Sequence, residues 1–149
     1  DCAADSTGTR LVFVGKGSAY AASPDYEPVA SSSPILPEYV CKSVTYVPQD
    51  GSFRTFPFYR SMFVSKDNGN TWSMQEIEGI EGIEKGSYHT IYGTTQGFGL
   101  VGNGQMYFQN LSDGTIQTND APMSDVWWDF LATLNSLIIY GIKYTIKTY

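Results

Sequence analysis

Charge is scarce in this sequence. Charged residues make up 16% of 149 positions, Lys and Arg never form a run, and the formal net charge is −6. Nothing here replaces the counterions of a phosphate backbone, so nucleic acid is excluded as a partner. A polybasic contact with a membrane surface is excluded on the same ground. No apolar run reaches the length of a spanning helix, so membrane insertion is not expected. One histidine and two cysteines leave no zinc-ligand set, and neither metal nor cofactor is expected. No Gly-x-Ser-x-Gly elbow exists, and a Ser–His pair would have only His89, which reads as a structural strand residue. Arginine occurs three times, as Arg10, Arg54 and Arg60, and is absent from the second half.

Aromatic residues are abundant: 11 Tyr, 8 Phe and 3 Trp, beside 15 Gly. Such a chain suits short strands joined by many turns, and its length suits one domain, 1–149, with a real core. The even cysteine count favours a Cys2–Cys41 disulfide in an oxidising compartment; in a cytosolic protein the two would be unrelated thiols. A chain that opens on Asp1 is expected to be processed, trimmed or internal to something longer. Asn110-Leu111-Ser112 is a glycosylation sequon, meaningful only in a secreted eukaryotic protein.

The chain repeats itself. Phe13-Val14-Gly15-Lys16-Gly17-Ser18-Ala19-Tyr20 aligns with Leu100-Val101-Gly102-Asn103-Gly104-Gln105-Met106-Tyr107, 87 positions later. Met62-Phe63 falls midway, 43 after Ala19-Tyr20 and 44 before Met106-Tyr107. A fourth copy aligns 91–102 with 130–141 at an offset of 39. A period of about 40–44 residues with short strands is the signature of a propeller blade. Strands are predicted near 10–16, 18–23 and 27–31, with the first strand of that blade missing. They continue near 39–47, 52–58, 61–65 and 71–77, then 87–93, 97–102, 105–110 and 115–118. The last are near 126–132, 136–141 and 143–148, where a final strand is missing. Residues 124–134 taken alone also fit a capped helix, and the repeat decides for strand. Residues 76–86 read as an acidic connector and 22–37 as a loop.

After each repeat comes a turn, and the one in the second copy is the most specific stretch of the chain: Ser65-Lys66-Asp67-Asn68-Gly69-Asn70-Thr71-Trp72. Asp67 suits an Asx-type turn, Gly69 the positive φ of a tight hairpin, Thr71 a hydroxyl to the same turn, and Trp72 a core anchor. Asp67, Asn68 and Asn70 are oxygen donors, but the order of a calcium loop and its terminal Glu are absent. Ser23-Pro24-Asp25 and Ser112-Asp113-Gly114-Thr115 are worn versions of the turn.

The stretch Ser-x-Asp-x-Gly-x-Thr-Trp resembles the Asp-box, or BNR repeat, of sialidases, sortilin-type receptors and many secreted or viral β-propellers. In those families the box is a folding device. The resemblance implies an all-β, β-propeller-like array of about 3.5–4 four-stranded blades, with a β-sandwich carrying one such hairpin as the alternative. Four tight blades would close a ring by joining both ends of the chain; otherwise the chain is one piece of a larger propeller or covers its edges with other copies.

Sialidases grip a carboxylate with three arginines from different blades and use a Tyr nucleophile assisted by Glu. Phe53-Arg54-Thr55-Phe56-Pro57 is only faintly similar to their arginine motif, and Arg54 and Arg60 share one blade. A sialidase-like glycoside hydrolase fragment is therefore the weakest reading, and no enzyme is expected. Gly97-Phe98-Gly99-Leu100-Val101-Gly102 fits a dinucleotide fingerprint by letters but opens no helix. The leading expectation is a non-catalytic extracellular, cell-surface or virion-surface module that binds a glycan or protein. A structural subunit of a phage or filament surface assembly, self-associating through open sheet edges, is the alternative. Candidate binding residues are Trp127, Trp128, Tyr88, Arg54 and Arg60, with Trp127 and Trp128 on opposite faces of one strand. Burial of these aromatics between blades competes with a glycan shelf.

Overall fold

The computed structural model describes residues 1–16, 18–22, 28–30, 41–57, 61–80, 88–102, 105–120, 127–132 and 137–142. Among these residues there is no helix. The strands are β1 (Cys2–Ala4), β2 (Leu11–Gly15), β3 (Ser18–Ala22), β4 (Pro28–Ala30), β5 (Cys41–Val47), β6 (Ser52–Pro57), β7 (Ser61–Ser65), β8 (Ser73–Glu76), β9 (Tyr88–Gly93), β10 (Gly97–Gly102), β11 (Gln105–Asn110), β12 (Ile116–Asp120), β13 (Trp127–Ala132) and β14 (Leu137–Ile142). They form antiparallel meanders in chain order: β1-β2-β3-β4, β5-β6-β7-β8, β9-β10-β11-β12 and the pair β13-β14. The fold is all-β, and residues 127–132 form a strand, not the capped helix. The strand predicted at 143–148 lies outside the described residues.

The first sheet is complete, which corrects the expectation of a missing first strand. Cys2, Ala3 and Ala4 pair with Phe13, Val12 and Leu11. A three-residue strand of Cys and Ala has neither alternation nor β-branched residues to announce it. The turn that follows supplies the order: Asp5 Oδ1 accepts N–H bonds from Thr9 at 3.0 Å and Arg10 at 3.2 Å, and its carboxylate also accepts the Thr7 hydroxyl.

Sheets pack face to face through two separate cores. Val12, Val14 and Ala19 of the first sheet meet Cys41, Val44, Phe53, Phe63 and Trp72 of the second. Val47, Phe56, Met62, Val64 and Ile77 of the second sheet side meet Ile91, Phe98, Leu100 and Tyr107 of the third. The second sheet is thus apolar on both faces, and every residue of β6 is buried. Period-two alternation sends Phe53 one way and Phe56 the other.

The first strands of successive sheets lie side by side: β5 runs beside β1 and β9, and β9 beside β13. A first strand pairs with only one neighbour in its own sheet, so its other edge carries backbone groups that need partners. Side chains of β5 supply them. Ile91 N–H donates to Ser43 Oγ at 3.2 Å and Gly93 N–H to Thr45 Oγ1 at 2.9 Å. Thr55 Oγ1 donates to the Ser43 carbonyl at 2.7 Å. The approach is so close that a Cβ on Gly93 would stand 2.0 Å from the Tyr46 carbonyl oxygen.

Candidate functional site

The hairpin between β7 and β8 is built from its own side chains. Ser65, 1% exposed, donates its hydroxyl to Asp67 Oδ1 at 2.8 Å and accepts the Gly69 N–H at 2.8 Å. Asp67 Oδ1 also accepts the Thr71 N–H at 2.9 Å, and Oδ2 accepts the Thr71 hydroxyl at 2.6 Å. Burial pushes the Asp67 carboxyl up, but the bonds from Thr71 and Ser65 outweigh it and hold it below the usual carboxylate value. Asn68 and Gly69 both take positive φ, 60° and 85°. Gly69 is also a close-approach position, since a Cβ there would lie 2.7 Å from Val12 Cγ2. The tip of the hairpin therefore presses on the first sheet, and Trp72 drops into the core between the two sheets.

The turn at 110–115 is the same device reduced. Thr115 N–H donates to Asp113 Oδ1 at 2.8 Å, Gly114 has φ 75°, and Ser112 N–H donates to Asn110 Oδ1 at 2.8 Å. Leu111 and Ile116 stand where the other hairpin has Ser65 and Trp72, and both pack against the second core, while Asp113 lies open to solvent.

A cleft of about 470 Å³ opens beside the hairpin, lined by Val64, Lys66, Asp67, Thr71, Trp72, Ser73 and Gln75. Val64 and Trp72 are its apolar lining, and the other lining residues are polar or charged. Its rim carries an ammonium, a hydroxyl and a carboxamide on the exposed residues Lys66, Ser73 and Gln75. Sequence reasoning passed over these three residues. They occupy the variable positions within and just after the motif, and no letter pattern marks them.

Arg54 is buried and does not face a ligand, which corrects its assignment as a binding candidate. Its side chain is 5% exposed and ion-paired to Asp50 at 2.8 Å. Nε donates to Ser52 Oγ at 3.0 Å, and the guanidinium lies 4.5 Å above the Phe98 ring of the next sheet. Burial raises the Asp50 carboxyl, while the Ser52 hydroxyl and the Arg54 charge lower it further than that, for a net depression. The cation is thus consumed in joining the second sheet to the third. Arg60 lies outside the described residues. Tyr88 is the first residue of β9, and Trp127 and Trp128 pair with Ile142 and Gly141 in the β13–β14 ladder; their side chains lie outside the described part. Arg54, the one candidate whose side chain is described, does not line the cleft.

Cys2 and Cys41 are both free thiols, which corrects the expected disulfide. Alternation in β1 turns Ala3 toward the core that holds Cys41 and leaves Cys2 exposed. Burial pushes the Cys41 thiol up, against a weaker hydrogen bond to Thr55. Among the described residues no group of three or more His, Cys, Asp or Glu is placed to hold a metal ion.

No family model matches the chain, and no curated protein matches it. Solved structures do. The chain is similar to PorZ, a bacterial surface component of the type-IX secretion system of Porphyromonas gingivalis, with TM-score 0.59 and 16% identity over 93% of this chain and 18% of that one. It is similar to YCF48 bound to D1 peptide, with TM-score 0.62 and 12% identity over 89% and 44% of the two chains. It is also similar to apo AztD from Citrobacter koseri, with TM-score 0.61 and 10% identity over 94% and 40%. These are β-propeller-like folds, and the chain shares that architecture. It spans less than half the length of each.

Proposed function

We propose that this chain is a non-catalytic β-propeller module, its Ser65–Trp72 hairpin an Asp-box, that binds a protein or glycan at a cell or virion surface. In this reading the first three sheets are complete blades and β13-β14 begin a fourth. One observation carries the non-catalytic part: among the described residues, the carboxylate of the hairpin and the guanidinium of the second sheet are committed to structural partners. Asp67 is saturated by Ser65 and Thr71, and Arg54 by Asp50, Ser52 and Phe98. What faces solvent at the cleft is a set of exposed polar side chains, Lys66, Thr71, Ser73 and Gln75, suited to recognition by hydrogen bonding. The peptide held by YCF48 supports a propeller in a peptide-binding role, and the surface location of PorZ supports the compartment.

Binding is tested on a glycan array and a displayed-peptide library with the wild type and with Lys66→Ala and Gln75→Ala. The expected result is a ligand in one library whose affinity falls ~10-fold in each variant, the loss of one charge-assisted hydrogen bond. A ligand indifferent to both variants removes the cleft as its site. Silence in both libraries sinks the binding reading, and hydrolysis of a fluorogenic sialoside sinks the non-enzyme one.

A further inference from the structure

The second sheet ends at β8, and among the described residues no further strand pairs with it. Ser73-Met74-Gln75-Glu76 meets β7 on one side and is exposed at every position. Its other edge therefore presents backbone N–H and C=O groups that a further strand could take up. Directly opposed residues of an antiparallel ladder point the same way, which fixes the two faces of β8. Met74 lies beside Phe63 on the side of the first sheet, and Glu76 shares that face. Ser73 and Gln75 lie beside Val64 and Met62 on the side of the third sheet, and both line the cleft. Met74 is 56% exposed, and among the described residues it is the one large hydrophobic open to solvent on an outer strand. Two positions on, Glu76 is an exposed carboxylate. The outer strands of the first and third sheets differ. Strand β4 begins with Pro28, which has no N–H to donate, and β12 exposes the uncharged polar residues Gln117, Thr118 and Asn119.

We propose that the β8 edge and the cleft beside it form one docking site for an extended peptide, which adds to the second sheet as a fifth strand. The inference rests on the reading that the cleft binds a ligand, and it names that ligand's class and pose. Backbone hydrogen bonds along β8 hold the segment, and its alternate side chains decide which segment is held. On one face an aliphatic residue covers Met74, and a Lys or Arg two positions away meets Glu76. On the other face small polar residues enter the cleft opposite Ser73 and Gln75. A net charge of −6 on the chain favours the approach of a basic segment. A sugar fits the site less well. Trp72, the aromatic residue of the cleft, is 8% exposed and packs in the core between the first and second sheets, so its ring offers no stacking shelf.

The test selects a displayed library of random peptides on the 149-residue chain and on its Glu76→Lys variant. The strongest wild-type binder is then synthesised with one backbone amide methylated at a time. An added strand turns every second amide toward β8, so methylation is expected to cost ~10-fold or more at alternate positions and little between them. Wild-type selections are expected to place Lys or Arg two positions from an aliphatic residue, and Glu76→Lys selections to place Asp or Glu there instead. Met74→Lys is expected to weaken the wild-type binder ~10-fold, through the lost apolar cover and the added like charge. Both positions face solvent, so circular dichroism and melting should not change. Methylation losses that do not alternate overturn strand addition, while Lys66→Ala and Gln75→Ala still report whether the cleft binds the peptide. A sequence preference unmoved by Glu76→Lys overturns the proposal, and so does a wild-type dimer broken by Met74→Lys, since the edge would then belong to a second copy. A glycan as the sole ligand overturns this inference and keeps the reading above; silence in both libraries removes both.

Discussion

Asp67 shows how one side chain does the work of a turn. Three hydrogen bonds converge on its carboxylate, and none leaves the hairpin. Asp67→Ala is expected to cost ~1–2 kcal/mol in urea unfolding, because buried Ser65 loses the acceptor for its hydroxyl. The same carboxylate titrates below its ordinary value, as does Asp50. The unfolded chain therefore takes up protons first on acidification. Their contribution is full above the ordinary carboxylate range and disappears as pH falls through about 4 and below. Urea midpoints from pH 7 to pH 3 should fall, with a shallower fall in Asp67→Ala; equal slopes would contradict this. Arg54→Ala is expected to cost about 2–3 kcal/mol, since Asp50 loses its partner and Phe98 its cation. A loss below ~0.5 kcal/mol, the range of ordinary surface substitutions, would show that the ion pair and the ring contact contribute little.

At the scale of elements, strand edges decide which substitutions matter. Gly93→Ala sets a Cβ against backbone that cannot turn aside, with β9 pushed off β5. Cooperative unfolding should weaken by more than ~3 kcal/mol or be lost. Gly8→Ala, at φ 70° with nothing within 4 Å of the added Cβ, should cost only ~1–2 kcal/mol from the left-handed backbone. Equal effects in thermal melts would remove the close approach as the cause. Most strands were legible because alternation and a repeat near 43 residues are written in the chain itself. Strand β1 was not, since Cys2-Ala3-Ala4 forms a strand only because β2 lies beside it. Gly99 stands in β10, where the sequence gives it no stated role. In the structure its missing side chain makes room for the Tyr92 ring, whose Cζ a Cβ would meet at 2.1 Å and which stacks at 6.4 Å with Phe108. Burial there pushes the Tyr92 hydroxyl up to about 12.

Across the whole molecule, the second sheet holds two cores that do not share side chains. Val12→Ala and Val47→Ala, one in each core, should each cost about 2 kcal/mol for two buried carbons and the void they leave. Their double mutant should be additive within ~0.5 kcal/mol. A coupling above ~1 kcal/mol would mean that strain passes through the second sheet as a unit.

Sequence by itself determined what depends on near neighbours in the chain: the strand rhythm, the four-fold repeat and the hairpin at Ser65–Trp72, whose bonds span four residues or fewer. Only the tertiary structure decided what depends on which side of a strand meets another sheet. It buried Arg54, separated Cys2 from Cys41, and left Phe13 and Tyr20 facing solvent while Leu100 and Tyr107 are sealed. Alternation names two faces of a strand, and only the packing of sheet on sheet says which face is covered.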